Sequence, residues 1–265
     1  MYPFKYVKPK SIDEASSFLA KQKGKAIPYS GGTDALGLIK DEVYQYDSVV
    51  DLKKLDGMDK IQYKKGEGLR IGALATITDI AENKQINEKY TVLSDAAKVI
   101  ASPQLRNAGT IGGNLCQRPR CWYYRGEFDC IRKGGDICYA VEGENKYHCV
   151  IGGGPCFIVH PSDTGVALLA LDASVVVNSN GEEKEVPLKN FFVLPEDDFM
   201  NENVLKPGEI ITEIKVPDLD SVVKSGYYKF MEREVWDFAV VSVAAVVNVK
   251  GGKVGKGKLA FGGVA

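Results

Sequence analysis

Six cysteines crowd one part of this chain. All the thiols of its 265 residues fall between Cys116 and Cys156, at Cys116, Cys121, Cys130, Cys138, Cys149 and Cys156. Buried structural cysteines would be spread over several core elements, so such a cluster points to metal or redox chemistry. The series Cys121-x8-Cys130-x7-Cys138-x17-Cys156 lacks the Cys-x2-4-Cys knuckles of zinc ribbons and fingers. It does offer four thiolates in a loop rich in Gly, Arg and Lys. Four thiolates are the usual ligand set of an iron–sulfur cluster, which tolerates irregular spacing because the loop wraps a preformed core. Arg125, Arg132 and Lys133 would offset its negative charge. Spacing by itself does not choose four ligands out of six.

Two glycine runs add a second kind of chemistry. Ser30-Gly31-Gly32-Thr33-Asp34 falls where a strand gives way to a helix, and Gly109-Thr110-Ile111-Gly112-Gly113-Asn114 follows some 80 residues later. Adjacent glycines let successive N–H groups converge on phosphate oxygens, although a tight turn with a Thr or Asp cap explains the first run equally well. Ser162 or Asp163 is likewise a satisfactory N-cap for a short helix over 164–171. No Gly-x-Gly-x-x-Gly opens a helix, Gly152-Gly153-Gly154 runs into Pro155, and there is no Gly-Lys-Ser/Thr loop. With only His148 and His160 available, a catalytic triad is not indicated.

The elements that must position these residues are of mixed type. Strands are predicted at 4–7, 26–29 and 48–52, with helices from Ser11 and over 33–39, which makes a small parallel unit over residues 1–56. A hairpin over 60–73, helices over 76–82 and 88–101 ended by Pro103, and antiparallel strands at 174–178, to 186 and at 209–216 define a larger lobe, 57–220, that carries the 116–156 insert. Strands at 227–233, 238–249 and 253–261 form a tail, 221–265, too small to fold alone. A net charge of −1 leaves no footprint for nucleic acid or an anionic membrane. The N-terminus does not read as a signal peptide and the longest apolar run is too short to span a bilayer, so a cytoplasmic protein with reduced thiols is expected.

Taken together, Ser30-Gly31-Gly32-Thr33-Asp34, Leu105 through Leu115 with Gly109-Thr110-Ile111-Gly112-Gly113-Asn114 at its centre, Pro161-Ser162-Asp163, Leu205 through Ile214, Tyr228-Lys229 and Asp237-Phe238-Ala239 resemble the FAD-binding subunit of the xanthine dehydrogenase and carbon monoxide dehydrogenase (molybdenum hydroxylase) family. The resemblance implies an α+β, two-lobed FAD-binding fold of the vanillyl-alcohol oxidase and CO dehydrogenase flavoprotein type. It pairs a small parallel lobe with a larger mixed lobe containing antiparallel sheet. It also implies a C-terminal domain that normally continues for several tens of residues and is truncated here.

The same resemblance assigns roles. Ser30, Gly31, Gly32, Thr33 and Asp34, with Ala108, Gly109, Thr110, Gly112, Gly113 and Asn114, would hold the FAD diphosphate. Asp163 would face the adenosine half, Lys229 the flavin ring, and Leu205 belongs to the same site. The insert is similar to the loop that binds a [4Fe-4S] cluster in 4-hydroxybenzoyl-CoA reductase and periplasmic aldehyde oxidoreductase, which implies Cys121, Cys130, Cys138 and Cys156 as ligands, with Cys149 the alternative to Cys156. The implied function is electron transfer in a multisubunit complex. A large molybdenum-cofactor subunit would handle the organic substrate, a small [2Fe-2S] subunit would link the two, and ferredoxin or NAD(P) would serve as external carrier. A further chain could supply the missing C-terminal half-domain. The competing expectations are a self-contained FAD oxidase of the vanillyl-alcohol oxidase type and a zinc-stabilised scaffold.

Overall fold

Strand and helix alternate over residues 5–51: β1 (Lys5–Val7), α1 (Ile12–Lys21), β2 (Ala26–Tyr29), α2 (Ala35–Lys40) and β3 (Ser48–Asp51). The computed structural model describes residues 1–220 and 222–265. β3 lies between β1 and β2 and runs parallel to both, with Val49 opposite Tyr6 on one side and Ile27 on the other. All four residues of β3 are buried, as expected of a central parallel strand. Ser11 caps α1 by accepting from the Glu14 N–H at 3.2 Å, and the helix buries Ala15 and Leu19.

The larger lobe continues with β4 (Ile61–Lys64), β5 (Gly68–Gly72), α3 (Ile77–Glu82), α4 (Lys84–Lys89), α5 (Thr91–Lys98), α6 (Pro103–Arg106), α7 (Ile111–Leu115), α8 (Trp122–Arg125), α9 (Asp163–Ala170), β6 (Ser174–Ser179), β7 (Glu182–Pro187) and β8 (Ile210–Val216). Its sheet has the order β4-β5-β8-β6-β7 and is antiparallel throughout. The tail forms a third, antiparallel sheet from β9 (Val223–Phe230), β10 (Val241–Lys250) and β11 (Lys253–Gly262). It does not stand alone: α5 packs against β9, and α9 against β10 and β11. No helix among the described residues is long and apolar enough to cross a membrane.

Three expectations need correction. The continuous helix over 88–101 is two helices, broken at Tyr90, whose buried ring sends its hydroxyl to the Pro217 carbonyl at 3.1 Å; tertiary packing overrides local propensity there. Pro103 does not merely stop a helix. It opens α6 behind a Ser102 cap, where its missing N–H costs nothing. The tail strands lie at 223–230 and 241–250, so residues 231–240 form a loop tied to the segment before α6, with the Trp236 N–H donating to the Ala101 carbonyl at 3.3 Å.

β5 presses tightly on the segment before β4. A Cβ on Gly72 would sit 2.2 Å from the Met58 carbonyl oxygen, with backbone rather than a flexible side chain in the way. Gly72→Ala is therefore expected to destabilise the fold by about 1–3 kcal/mol. Urea unfolding should show a lower midpoint with an unchanged slope.

Candidate functional site

The two glycine runs meet. A Cβ on Gly31 would lie 2.0 Å from the Ala108 carbonyl oxygen, so the loop after β2 touches the loop before α7 at a point where only hydrogen fits. Beside that contact the Ser30 and Thr110 hydroxyls are 2.9 Å apart. A cleft of about 640 Å³ opens along the junction, of the size of a small-molecule site. Ser30, Gly31, Gly32, Thr33, Asp34, Gly109, Thr110, Gly113, Asn114, Asp163, Leu205 and Lys229 line it. Ala108 and Gly112 do not: Ala108 abuts Gly31 from behind, and Gly112 is buried on Ala73.

The two loops differ in what they can offer an anion. In the second, the N–H groups of Ile111 and Gly112 donate to the carbonyls of Ala75 and Ala73, and those of Gly113 and Asn114 to the Thr110 hydroxyl and carbonyl. Those four donors are spent on forming α7 and seating it on the segment after β5. In the first, among the described residues, the N–H groups of Gly31, Gly32 and Thr33 have no partner in the chain. Gly32 has φ +71, a conformation that favours glycine and turns successive amides to one side. Among the described residues the unpartnered donors are thus concentrated in the first loop, with the Thr110 N–H of the second beside them.

Asp34 is no helix cap. Its Oδ1 accepts from Arg120 Nη1 at 2.5 Å and Arg125 Nη2 at 2.7 Å, and its Oδ2 from the Arg118 N–H at 2.8 Å. One glycine-loop carboxylate therefore holds three residues of the cysteine-rich stretch. Behind it Glu202 takes Arg118 Nη1 on Oε2 and Arg132 Nη2 on Oε1. Arg125 and Arg132 are thus ion-paired to carboxylates, and Lys133 donates to the Gly126 carbonyl at 2.5 Å.

Asp163 and Lys229 are also paired. Lys229 Nζ lies 2.9 Å from Asp163 Oδ2, and Asp163 Oδ1 accepts from the Tyr227 hydroxyl at 2.7 Å. The two residues expected at different parts of one ligand are thus in direct contact with each other. The ammonium has three protons, and the Val99 and Asp237 carbonyls take the other two, at 3.3 and 2.8 Å. Lys229 can give a ligand charge but no further hydrogen bond.

All six cysteines are free thiols. Cys116 stands apart: it lines the cleft, and burial pushes its thiol up to about 12. Among the other five, burial raises the pKa of Cys121, Cys149 and Cys156, with smaller contributions from the Cys138 sulfur on all three and from Cys130 on Cys121. Burial pushes Cys156 up to about 11, and Arg132 works in the opposite direction. His148 Nε2 is 3.2 Å from Cys121 Sγ. Among the described residues no three His, Cys, Asp or Glu side chains are gathered as ligands of a single metal ion. That arrangement does not fit a preformed zinc tetrahedron.

Known proteins resemble this chain over nearly its whole length. A family described as "FAD binding domain in molybdopterin dehydrogenase" matches residues 2–219. The chain belongs to that family. The aldehyde oxidoreductase FAD-binding subunit of Escherichia coli K12 is 38% identical over 240 residues, 89% of this chain and 74% of the relative. The glyceraldehyde dehydrogenase medium chain of Sulfolobus acidocaldarius is 29% identical over 100% of this chain and 77% of its own length. The carbon monoxide dehydrogenase structure from Hydrogenophaga pseudoflava superposes with a TM-score of 0.75 at 23% identity, covering 99% of this chain and 76% of that one. The two-lobed α+β fold is therefore that of FAD-binding subunits of molybdenum-hydroxylase-type oxidoreductases, and FAD binding goes with the family.

Sequence reasoning did not find Arg118, Arg120 or Glu202, and it gave Arg125 and Arg132 only a general electrostatic role. Glu202 stands 70 positions from Arg132 and 84 from Arg118, with no local signal. His160 was passed over as a lone histidine. Burial holds its pKa down at about 4, since Nε2 is shut from solvent and the ring packs on Phe192 with centroids 4.7 Å apart. An unfolded histidine takes its proton near 6.5, so between about 4 and about 6.5 the unfolded state binds more protons. Stability is then complete above about pH 6.5 and falls by about 3 kcal/mol as the pH drops to about 4. Chemical denaturation at about pH 7.5 and about pH 4.5 should show that loss, and His160→Asn should shrink it.

Proposed function

We propose that this chain is the FAD- and [4Fe-4S]-bearing electron-transfer subunit of a molybdenum-hydroxylase-type complex. The observation that carries the reading is the grip on Asp34. A residue of the glycine loop is bound by Arg118, Arg120 and Arg125 of the cysteine-rich stretch, so the cleft and the thiols form one unit.

The residues fit both groups. For FAD, three unpartnered N–H groups at Gly31 to Thr33 suit a diphosphate, Thr110 and Asn114 line the same cleft, and Ile100 and Leu205 supply apolar wall. Asp163 and Lys229 act there as one braced pair. For the cluster, the cysteine-rich stretch supplies soft free thiols in at least the number such a core requires. The assigned ligands are Cys121, Cys130, Cys138 and Cys156, with Cys149 the alternative to Cys156, while Cys116 belongs to the cleft. When bound, FAD supplies exchange of two electrons with a carrier and of single electrons with iron–sulfur centres. The chain's own part is to hold the two groups together, with guanidiniums between them.

The partners in this reading are a large molybdenum-cofactor subunit, a small [2Fe-2S] subunit and an external carrier, ferredoxin or NAD(P). Support comes from relatives named as medium chains of carbon monoxide dehydrogenase, of which one from Hydrogenophaga pseudoflava is 26% identical over 99% of this chain. Tyr228, Phe230, Val241, Leu259 and Phe261 share one exposed face of the third sheet, which suits a further half-domain packed on it. Six free thiols suit the cytoplasm.

The purified chain is expected to carry FAD together with about four iron and about four acid-labile sulfide. Zinc without sulfide or flavin would sink the reading. Separate Ser variants at Cys121, Cys130, Cys138 and Cys156 should lose the iron, and retention at Cys156 with loss at Cys149 would move the fourth ligand. Gly31→Ala, which drives a Cβ into the Ala108 carbonyl, should weaken FAD at least tenfold, about 1.4 kcal/mol, in a fluorescence titration.

A further inference from the structure

Glu202 sits where the two proposed sites meet. Asn201, Asn203 and Leu205 of its own segment line the cleft, yet Glu202 itself is 3% exposed and bonded away from it. Through Oε2 it holds Arg118, whose N–H in turn binds Asp34 of the glycine loop. Through Oε1 it holds Arg132, in the turn between Cys130 and Cys138. Arg132 is almost wholly buried, and its other bonds run to the carbonyls of Phe199 and Met200 in the same segment as Glu202. A single carboxylate thus spans from the cleft wall to the cysteine loop.

The charge count adds a second argument. Among the described residues, the carboxylates paired with Arg118, Arg120, Arg125 and Arg132 are those of Asp34 and Glu202, while the exposed Asp198 and the Cys156 thiol feel Arg132 from outside the network. Four guanidiniums against two carboxylates leave positive charge between two places that would each take an anionic group, a diphosphate on one side and thiolates on the other. Among the described residues, Arg120 Nε and Arg132 Nε are buried without a partner. The network is incomplete in the chain alone.

We propose that Glu202 is a positioning residue that couples the two sites, so that filling the cysteine loop tightens FAD binding in the cleft. The inference rests on the cofactor reading above. Ordering the Cys130 to Cys138 turn fixes Arg132, hence Glu202, hence Arg118 and the Asp34 end of the glycine loop. By reciprocity, FAD stabilises the loaded loop by the same factor.

The test compares FAD dissociation constants, read by flavin fluorescence, for the iron-loaded full chain and for Cys138→Ser, which cannot load. The loaded chain is expected to bind at least about fivefold tighter. Glu202→Gln should bring that ratio to about one, and Glu202→Asp, which keeps the charge, should restore most of it. Because Glu202→Gln strands two guanidiniums and can fail to fold, Arg118→Gln serves as the second variant: it cuts the link on the more exposed side and keeps Arg132 paired. A purely structural Glu202 would weaken FAD equally with and without the cluster, leaving the ratio untouched, and that result overturns the proposal. So does a ratio of one in the unmodified chain. A chain that never holds iron and sulfide removes the cofactor reading along with this one, whereas a loaded chain without coupling removes only this one.

Discussion

The contact between Gly31 and the Ala108 carbonyl is the constraint on which the cleft depends. Two lobes built on different sheets come together there without a side chain between them. Any Cβ would push the loops apart, and with them the Ser30 and Thr110 hydroxyls that meet beside the contact. The approach also explains a division of labour. The second loop turns the amides of Ile111 to Asn114 inward to form and seat α7, which leaves most of the free donors to the first loop, short of internal partners. A conformationally special backbone is spent where close approach is required, at Gly31 and Gly32, and ordinary helix geometry does the rest.

Residues 116–162 pose a different problem. Apart from α8 and a single 3-10 turn at Ile131–Lys133, they have almost no regular structure, so their backbone carbonyls need partners from elsewhere. Arginine meets the need because one guanidinium carries five donors in a fixed fork. Arg125 reaches the Pro119 and Arg118 carbonyls as well as Asp34, and Arg132 reaches those of Phe199 and Met200 as well as Glu202. Such burial of charge is not obviously stabilising, since an apolar packing of equal volume often does as well. What it provides is direction. An apolar cluster would hold the loop near the lobe, whereas forked hydrogen bonds hold it in one register.

Local patterns made the elements legible and left the network dark. The strands and helices of the parallel unit, the hairpin at β4 and β5 and the Ser162 cap are all set by residues within a few positions of one another, and they stand where the sequence places them. The glycine runs were readable for the same reason. The break at Tyr90 was not, because it is decided by a hydroxyl reaching Pro217 across 127 positions. Glu202 was invisible in the same way: a lone glutamate between two asparagines gives no sign that it ends under two arginines. Asp34 shows the middle case: the sequence marks it as a cap or part of a phosphate loop, and its acceptors serve arginines.

The overall charge of −1 is therefore a poor guide to this molecule. It averages a surface on which acids and bases are mixed with a junction where guanidiniums outnumber carboxylates two to one. Charge matters by location here. At Lys229 the opposite arrangement holds: the ammonium is matched by Asp163 and has its remaining donors taken by carbonyls, so that part of the cleft is electrically closed and mechanically stiff. One part of the site is finished before any ligand arrives and the other is left short of negative charge. An anionic group entering the cleft would find its counter-charge on the side that leads to the cysteines, and that asymmetry gives the cleft and the loop a physical reason to be adjacent.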